Sequence, residues 1–448
     1  MSALSSLSWR RAEGTGLVLR GADVLDPRLE LRGKRDVVIR DGRISELAEP
    51  GGVEDGELES VDAEGLLALP AFFDPHVHLR TPGREDEEDL ETGTRAAAAG
   101  GFCGVLAMPN TDPPVDSAPS VHALRQRAAR EASVPVGFLA SITRRMAGDD
   151  LTEMAELRDA GAVGFTDDGW PVPSARVLRR ALQYQKLAGG VLALHEEDRE
   201  LSGDGVMHEG GVSAALGLSG IPSISESTMI ARDAALAAYE EARIHVLHLS
   251  AGESVETVAR AKAEGVRITA EVTPHHLTLT DEAVRSLDGR FKMNPPLRAE
   301  EDRLALVEGL RSGVIDCVAT DHAPHSPEEK EVPFEEAAMG VTGLETAFPV
   351  LYTELVVPGV LDLELLVERI TAGAAVFAFD VPTLEPGSEA NVALVDPEVE
   401  WEAGGEGWES RSENSCFGGR RLRSRVLMTV AGGQVAYRQR SFAMGVAA

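Results

Sequence analysis

The chain has 448 residues, of which 43% are hydrophobic and 26% charged, and its formal net charge is −31 at pH 7. This composition predicts a globular protein with one large and one smaller domain, and it excludes a disordered chain. An acidic surface of this kind repels phosphate backbones and anionic lipids, so we expect neither nucleic-acid nor membrane partners.

The chain begins and ends with patterns typical of β-strands. Near the start, β-branched runs flank an Asp-Gly pair at 41–42, and near the end a similar pair of runs flanks Gly-Gly at 432–433. Both patterns indicate hairpins. Because neither piece has enough strands to bury a face alone, we predict that residues 1–66 and 386–448 meet in one small β-sandwich-like domain.

Between these ends, residues 67–385 alternate strand-like apolar runs with helical segments. The runs cover 66–74, 103–108, 134–141, 162–167, 191–195, 244–249, 266–272 and 315–321. Helical spacing is found at 92–99, 120–130, 174–187, 225–242, 254–264 and 299–310. Eight such repeats predict a (β/α)₈ TIM-type barrel, whose active sites lie at the C-terminal ends of the strands. An open doubly wound sheet is the alternative, but the glycine motifs that bind dinucleotides or phosphates there do not occur.

Several of these runs end in side chains that bind metals. His76 and His78 are one residue apart, so on a strand they project to the same side. The other such residues at run ends are Asp167, Asp168, His195, His248 and Asp321. Because strand ends of a barrel meet at one rim, we predict a metal centre there. Imidazole and carboxylate ligands favour zinc foremost, with manganese, cobalt and iron left open.

The predicted centre is catalytic, because no closed cysteine tetrad occurs. A divalent ion lowers the pKa of bound water to about 7, which makes hydroxide available at neutral pH. Asp321 is the candidate to accept the proton and return it to a leaving nitrogen. Periodicity does not decide between Asp167 and Asp168, because neighbours on a strand point in opposite directions.

Five motifs in this region resemble those of the amidohydrolase superfamily, and specifically of the bacterial type I dihydroorotases. They are DPHVHLR at 74–80, MPNT at 108–111, FTDDG at 165–169, FKMNPPLR at 291–298 and DHAPHSPEEK at 321–330. The resemblance extends from about residue 16 to the C-terminus.

The resemblance implies one or two Zn²⁺ ions per subunit. His76 and His78 would hold one ion with Asp321, and His195 and His248 would hold a second, with Asp168 as the bridge. Many relatives bridge with a carboxylated lysine instead, but this chain has no lysine between positions 34 and 186. An aspartate bridge is the type I pattern and counts against hydantoinase and allantoinase.

The resemblance also implies the substrate. Dihydroorotases interconvert N-carbamoyl-L-aspartate and L-dihydroorotate in pyrimidine synthesis. Both compounds carry a carboxylate that does not react, and Arg80, Asn110 and His325 match the family positions that bind it. Asn294 would help to bind the ring. Ring closure converts the other carboxylate into an imide carbonyl and consumes a proton, so acid favours dihydroorotate.

Two alternative functions remain open at this point. One is hydrolysis of another cyclic amide, as in hydantoinases or allantoinases. The other is a non-catalytic, dihydroorotase-like scaffold for aspartate transcarbamoylase, although such chains have lost ligands that are all present here. The sequence leaves homo-oligomerisation and association with aspartate transcarbamoylase undecided.

Four further expectations concern the location of the protein, the loop at the active rim, the N-terminal residues and a pair of histidines. The chain has three scattered cysteines, no recognisable signal peptide and no apolar stretch of ~20 residues. Together these features predict a cytoplasmic protein. Residues 322–340 are expected to form a loop at the active rim, either a cover that excludes water or an ordinary solvated connection. Residues 1–15 match nothing in the family pattern, which leaves a disordered extension or a start-codon artefact open. His275 and His276 are expected to make local hydrogen bonds.

Overall fold

A computed structural model describes residues 3–12, 14, 16–54, 56, 58–405 and 407–443. The strands are β1 (Leu17–Asp26), β2 (Leu31–Arg40), β3 (Arg43–Ala48), β4 (Glu59–Asp62), β5 (Leu67–Pro70), β6 (Phe72–Val77), β7 (Phe102–Ala107), β8 (Val136–Phe138), β9 (Leu192–Leu194), β10 (Met207–His208), β11 (Gly220–Ile221), β12 (Arg243–Val246), β13 (Arg267–Val272), β14 (Cys317–Val318), β15 (Val392–Glu402), β16 (Arg421–Ala431) and β17 (Gln434–Arg438).

The helices are α1 (Leu90–Ala99), α2 (Ala118–Glu131), α3 (Met154–Ala160), α4 (Ala175–Ala188), α5 (Arg199–Ser202), α6 (Gly211–Leu216), α7 (Ile224–Glu240), α8 (Gly252–Ala263), α9 (Pro274–Thr278), α10 (Glu300–Ser312), α11 (Pro327–Lys330), α12 (Ala347–Leu351), α13 (Leu363–Thr371), α14 (Gly373–Val376) and α15 (Arg440–Ala443). A π-helical turn at Tyr352–Val356 follows α12. Among the described residues, no helix has the length and apolar character needed to span a bilayer.

The two ends of the chain share one sheet. Its strand order is β17-β16-β15-β5-β1-β2-β3, with β4 paired to β1. The antiparallel pairing of β15 with β5 joins the C-terminal part to the N-terminal part. The turn between β2 and β3 has φ of 49° at Asp41 and 72° at Gly42, and the turn between β16 and β17 has φ of 55° at Gly432 and 80° at Gly433. Positive φ at both central residues suits the twist of a tight hairpin.

The central part of the chain is a closed parallel barrel, as predicted. Parallel pairings join β6 to β7 to β8, and β9 to β12 to β13 to β14. The fourth position is reduced to Phe165, which bridges Ala140 on one side and Leu192 on the other. A bridge between Val77 and His322 closes the ring.

Burial on both faces explains why the barrel strands read as continuous apolar runs. Every residue of β6 and β7 is buried. Phe72 on β6 stacks on Phe348 of α12 with ring centroids 5.0 Å apart, and burying one such side chain contributes roughly 1.5–3 kcal/mol. The predicted run 66–74 is divided at Ala71, because β5 belongs to the terminal sheet and only β6 belongs to the barrel.

The described residues near the N-terminus pack against the barrel. Leu4, Leu7 and Trp9 are buried. Ser8 and Val136 exchange two backbone hydrogen bonds, at 3.2 and 3.0 Å, alongside β8. For residues 3–12, the alternative of a disordered extension does not hold, because their apolar side chains join the core. Residues 1, 2, 13 and 15 lie outside the described residues.

Candidate metal centre and substrate pocket

Six predicted ligand residues converge at the C-terminal rim of the barrel. They are His76, His78, Asp168, His195, His248 and Asp321, and each is buried. His76 lies within β6, and the others follow β6, the Phe165 bridge, β9, β12 and β14. The alternation of a strand brings His76 and His78 to the same side, with ring centroids 5.3 Å apart.

The carboxylate of Asp168 lies between two pairs of histidines. Its Oδ2 atom is 3.6 Å from His76 Nε2 and 3.4 Å from His78 Nε2. Its Oδ1 atom is 3.7 Å from His195 Nδ1 and 3.6 Å from His248 Nε2. One carboxylate that presents each oxygen to a different pair of imidazoles has the geometry of a bridging ligand.

Asp321 approaches the first pair of histidines only. Its Oδ1 atom lies 3.0 Å from His78 Nε2 and 3.4 Å from His76 Nε2. Two overlapping groups have ligand atoms within 4.8 Å of one another, namely His76, His78 and Asp321, and His76, Asp168 and His248. These groups could each hold a metal ion.

Asp167 points away from this centre. Its carboxylate accepts hydrogen bonds from the backbone N–H groups of Ile142 and Thr143 at 2.8 and 3.1 Å, and also from the Thr143 hydroxyl. Asp167 therefore fixes the segment that follows β8, which leaves Asp168 as the carboxylate among the histidines.

Two buried atoms in the centre are suited to bind a metal ion. His76 Nε2 and Asp168 Oδ1 have no hydrogen-bond partner. Buried polar atoms are nearly always partnered, and an imidazole nitrogen beside a carboxylate oxygen is a donor set for a divalent cation. The residues present thus fit the metal that the sequence predicts.

Glu271, which sequence reasoning missed, orients His76 from behind. Its Oε1 atom is 2.6 Å from His76 Nδ1, and its Oε2 atom is 2.9 Å from His245 Nε2. A carboxylate that accepts a hydrogen bond from Nδ1–H leaves the unprotonated Nε2 facing the centre. Asn110 Oδ1 does the same for His78 Nδ1 at 2.9 Å. The available signal in the sequence was a glutamate inside the predicted strand run 266–272, because a charge on a barrel strand needs a partner.

Mutual attraction between carboxylates and histidines keeps the carboxylates of the centre ionised. Burial alone would raise the pKa of Asp168, but His76 and the other surrounding histidines hold it well below its usual range. Burial would lower the pKa of His195, yet Asp168 and Glu197 raise it to about 9. Burial likewise opposes ionisation of Glu271, but His76 and His245 lower its pKa to about 2.

Three residues of the site have a left-handed backbone. The φ angles are 51° at Arg80, 32° at His248 and 48° at Asp321. Side chains with a Cβ rarely adopt such angles, and the surrounding structure must enforce them. All three residues line the same cavity.

Arg80 and His325, two of the residues predicted to bind a carboxylate, lie side by side in one corner of the site. Arg80 Nη2 lies 3.2 Å from His325 Nε2. Glu87, a second residue that sequence reasoning missed, lies 3.2 Å from Arg80 Nε and 3.3 Å from His325 Nδ1. Arg80 Nε also donates to the Pro324 carbonyl at 2.9 Å, so both side chains are held from behind.

The loop at 322–340 is packed rather than loosely solvated. The buried Lys330 donates from Nζ to the carbonyls of Lys292, Ala338 and Gly340 at 3.1, 2.8 and 2.8 Å. Asn414 donates to the carbonyls of Ala323 and Gly340. These bonds fix the loop against the terminal domain and thereby fix His325.

All the predicted substrate-binding residues line a single cavity of about 380 Å³. Asn110 and Asn294 lie on its wall together with Arg80, His325 and the exposed face of the metal centre. Asn294 Nδ2 donates to Glu197 Oε2 at 2.9 Å, and that carboxylate is 3.2 Å from His195 Nε2. The volume suits a small molecule.

The histidine pair after β13 has divided roles. His276 makes the expected local hydrogen bonds, to the Thr273 hydroxyl at 2.8 Å and the Pro295 carbonyl at 3.0 Å. His275 differs, because its buried Nε2 atom has no partner. Burial lowers the pKa of His275 to about 4, which keeps this ring neutral.

A parallel barrel with histidines and aspartates at its C-terminal rim, joined to a β domain made from both termini, defines a hydrolase of the amidohydrolase type. A family model described as "Dihydro-orotase-like" matches residues 65–254. A protein named dihydroorotase from Syntrophotalea carbinolica is 43% identical over 423 residues, covering 94% of this chain and 99% of its own length. Another from Pelotomaculum thermopropionicum is 44% identical over 425 residues, covering 95% and 99%. The chain belongs to the dihydroorotase family of cyclic-amide hydrolases.

A solved structure shows the same fold. The L-hydantoinase (dihydropyrimidinase) from Arthrobacter aurescens superimposes with a TM-score of 0.84 over 95% of this chain and 96% of that one. Its sequence identity is 24%, so this likeness bears on architecture. It confirms the predicted barrel with an attached β domain.

Proposed function

We propose that this enzyme interconverts N-carbamoyl-L-aspartate and L-dihydroorotate at a centre of two zinc ions. The observation that carries the proposal is the Asp168 carboxylate between two histidine pairs, in one cavity with the Arg80–His325 corner. The first part fits a metal-dependent hydrolase, and the second fits a substrate with an unreactive carboxylate.

The ligands divide into two sets around Asp168. His76, His78 and Asp321 would hold one ion, while His195 and His248 would hold the other. When bound, divalent ions lower the pKa of water and polarise the amide carbonyl that is attacked. Zinc is favoured because histidine and carboxylate ligands in an open site are its common catalytic set.

The protein's own residues bind and orient the substrate. Arg80, Asn110 and His325 would hold the carboxylate that does not react, and Asn294 would contact the ring. Asp321 would accept a proton during ring opening and deliver one to the leaving nitrogen. In ring closure the same carboxylate acts in reverse, and acid favours the cyclic product because closure consumes a proton.

Metal analysis combined with turnover tests this proposal directly. We expect about two equivalents of zinc per chain after reconstitution, and turnover of L-dihydroorotate followed by ultraviolet absorbance on the same sample. Zinc fits the donor set better than magnesium, because magnesium favours oxygen ligands. A chain that binds zinc at this centre but turns over neither compound would contradict the proposed function.

Substitution of Arg80 tests the carboxylate corner. In Arg80→Gln, we expect KM for L-dihydroorotate to rise about 100-fold, because a charge-assisted hydrogen-bond pair to a carboxylate is lost. Arg84→Gln is the matched control. Arg84 contacts Glu87 and Glu329 from the outer side and does not line the cavity, so its KM should change less than threefold. An unchanged KM in Arg80→Gln would favour an uncharged hydantoin as the substrate.

We also propose that the protein works in a reducing compartment such as the cytoplasm. All three cysteines, Cys103, Cys317 and Cys416, are buried and unbridged. Association with aspartate transcarbamoylase and assembly into a homo-oligomer stay predictions.

A further inference from the structure

Under the proposed function, the cavity must bind an anionic substrate although the protein itself is strongly acidic. The chain carries a formal charge of −31, and Asp168 and Asp321 lie on the cavity wall. Among the residues that line it, the lysine and arginine side chains are Arg80 and Arg199. The first belongs to the carboxylate corner described above, and the second has no assigned role.

The two guanidinium groups differ in how far their charge is already neutralised. Arg80 is partly exposed, at 13% of its side chain, and lies 3.2 Å from the Glu87 carboxylate. Arg199 is exposed, and its Nη2 atom donates to the neutral Gly169 carbonyl at 2.7 Å. Within the described part of the chain, no carboxylate forms an ion pair with Arg199. Its positive charge is therefore available to a ligand.

Local structure fixes Arg199 at the cavity mouth. It is the first residue of α5, and its guanidinium carbon lies 4.3 Å above the ring of Trp170. Trp170 follows Gly169, whose φ of 74° turns the chain just after Asp168. The cation thus bridges the segments that follow the fourth and fifth barrel positions, and both of its neighbours there also line the cavity.

The two substrates differ in charge, so a cation without an ion-pair partner can bind one of them more strongly than the other. N-carbamoyl-L-aspartate has two carboxylates, whereas L-dihydroorotate has one, because ring closure removes the other. An electrostatic contribution to binding grows in proportion to ligand charge. Arg80 can bind the carboxylate that both compounds share. The second carboxylate of the open form reacts at the metal centre, and Arg199 lines the same cavity, so its charge attracts that carboxylate across the cavity.

We propose that Arg199, stacked on Trp170, is a specificity-determining residue that strengthens binding of the dianionic open-chain substrate over the monoanionic ring. This inference rests on the proposed function, because it uses the charges of those two compounds. Arg199 acts on binding and takes no part in proton transfer.

Arg199→Gln removes the charge but keeps an N–H donor for the Gly169 carbonyl. We expect KM for N-carbamoyl-L-aspartate to rise about tenfold and KM for L-dihydroorotate about threefold, since the logarithm of the effect scales with charge. The equilibrium constant of the reaction fixes the ratio of the forward and reverse kcat/KM values. Unequal changes in the two KM values must therefore be balanced by changes in the two kcat values. This relation is an internal check on the data. Raising the salt concentration should reduce the difference between variant and parent, because the mouth is exposed.

Two control variants separate charge from structure. Arg199→Lys keeps the charge and should stay within about twofold of the parent for both substrates. Arg144→Gln removes an equal charge that lies outside the cavity and is paired with Glu153 at 3.0 Å, and it should leave both KM values unchanged. Equal increases of both KM values in Arg199→Gln, or no increase, would overturn the assignment. Turnover of neither compound by the parent enzyme would overturn the proposed function itself.

Discussion

Asp321→Asn is expected to lower kcat at least 1,000-fold in both directions, at the upper part of the range (roughly 10²–10⁴) for loss of a general acid–base group. The asparagine amide cannot accept the proton that the Asp321 carboxylate would take up, and it is a weaker metal ligand. The carboxylate lies 3.0 Å from His78 Nε2 on the wall of the cavity, where it can reach both a metal ion and the substrate. Turnover in each direction should be measured with zinc content on the same sample.

Zinc content separates the two roles proposed for Asp321. Activity lost with two zinc ions retained assigns the loss to proton transfer, whereas loss of one ion assigns it to coordination. Asp316→Asn is the matched control, because this residue precedes β14 at the opposite end of the barrel, where it pairs with Lys262 at 2.7 Å and accepts the Ala270 N–H at 2.8 Å. The control should lose about 1–2 kcal/mol of stability with kcat unchanged. An Asp321→Asn enzyme with more than one-tenth of parental activity contradicts the assignment.

Asp168→Asn is expected to reduce the zinc content to one equivalent or less and to lower kcat at least 100-fold. The substitution removes the negative charge that faces four imidazoles at 3.4 to 3.7 Å, and a neutral amide does not bridge two cations well. Metal analysis after exhaustive dialysis, followed by the turnover assay, measures both effects.

The neighbouring Asp167→Asn is a control that differs by one position. Its carboxylate serves Ile142 and Thr143, so we expect a loss of about 1–2 kcal/mol in the free energy of unfolding with normal zinc binding. Chemical denaturation measures that loss. If Asp167→Asn lost its zinc and Asp168→Asn kept it, the bridging role would belong to the other residue.

Much of the barrel could be predicted because its strands are buried on both faces and therefore appear as uninterrupted apolar runs. The fourth run, 162–167, was predicted as a strand, yet only Phe165 forms bridges there. Short helices such as α5, α9 and α11 were not predicted, because four or five residues carry too little periodicity. The division of run 66–74 depends on tertiary pairing of β5 with β15, which no local pattern contains.

The predicted part of the candidate site consists of residues that stand in short sequence motifs. The histidines and aspartates stand beside one another in DPHVHLR and FTDDG, and alternation on a strand gives their direction. Glu271 and Glu87 have partners that are distant in sequence: His76 is 195 residues from Glu271, and His325 pairs with Glu87. These residues matter because a buried charge needs a partner. Burial depends on the tertiary structure, and the linear sequence does not show it.

The positive φ angles at Arg80, His248 and Asp321 have a consequence for directed evolution. Each left-handed residue costs roughly 1–3 kcal/mol that the remaining fold must offset, and glycine would relieve that cost at the same position. A laboratory selection for heat resistance alone should therefore enrich glycine at these three positions. The selected proteins would be more thermostable but catalytically inactive. Screens that aim for a durable catalyst need to score turnover alongside survival.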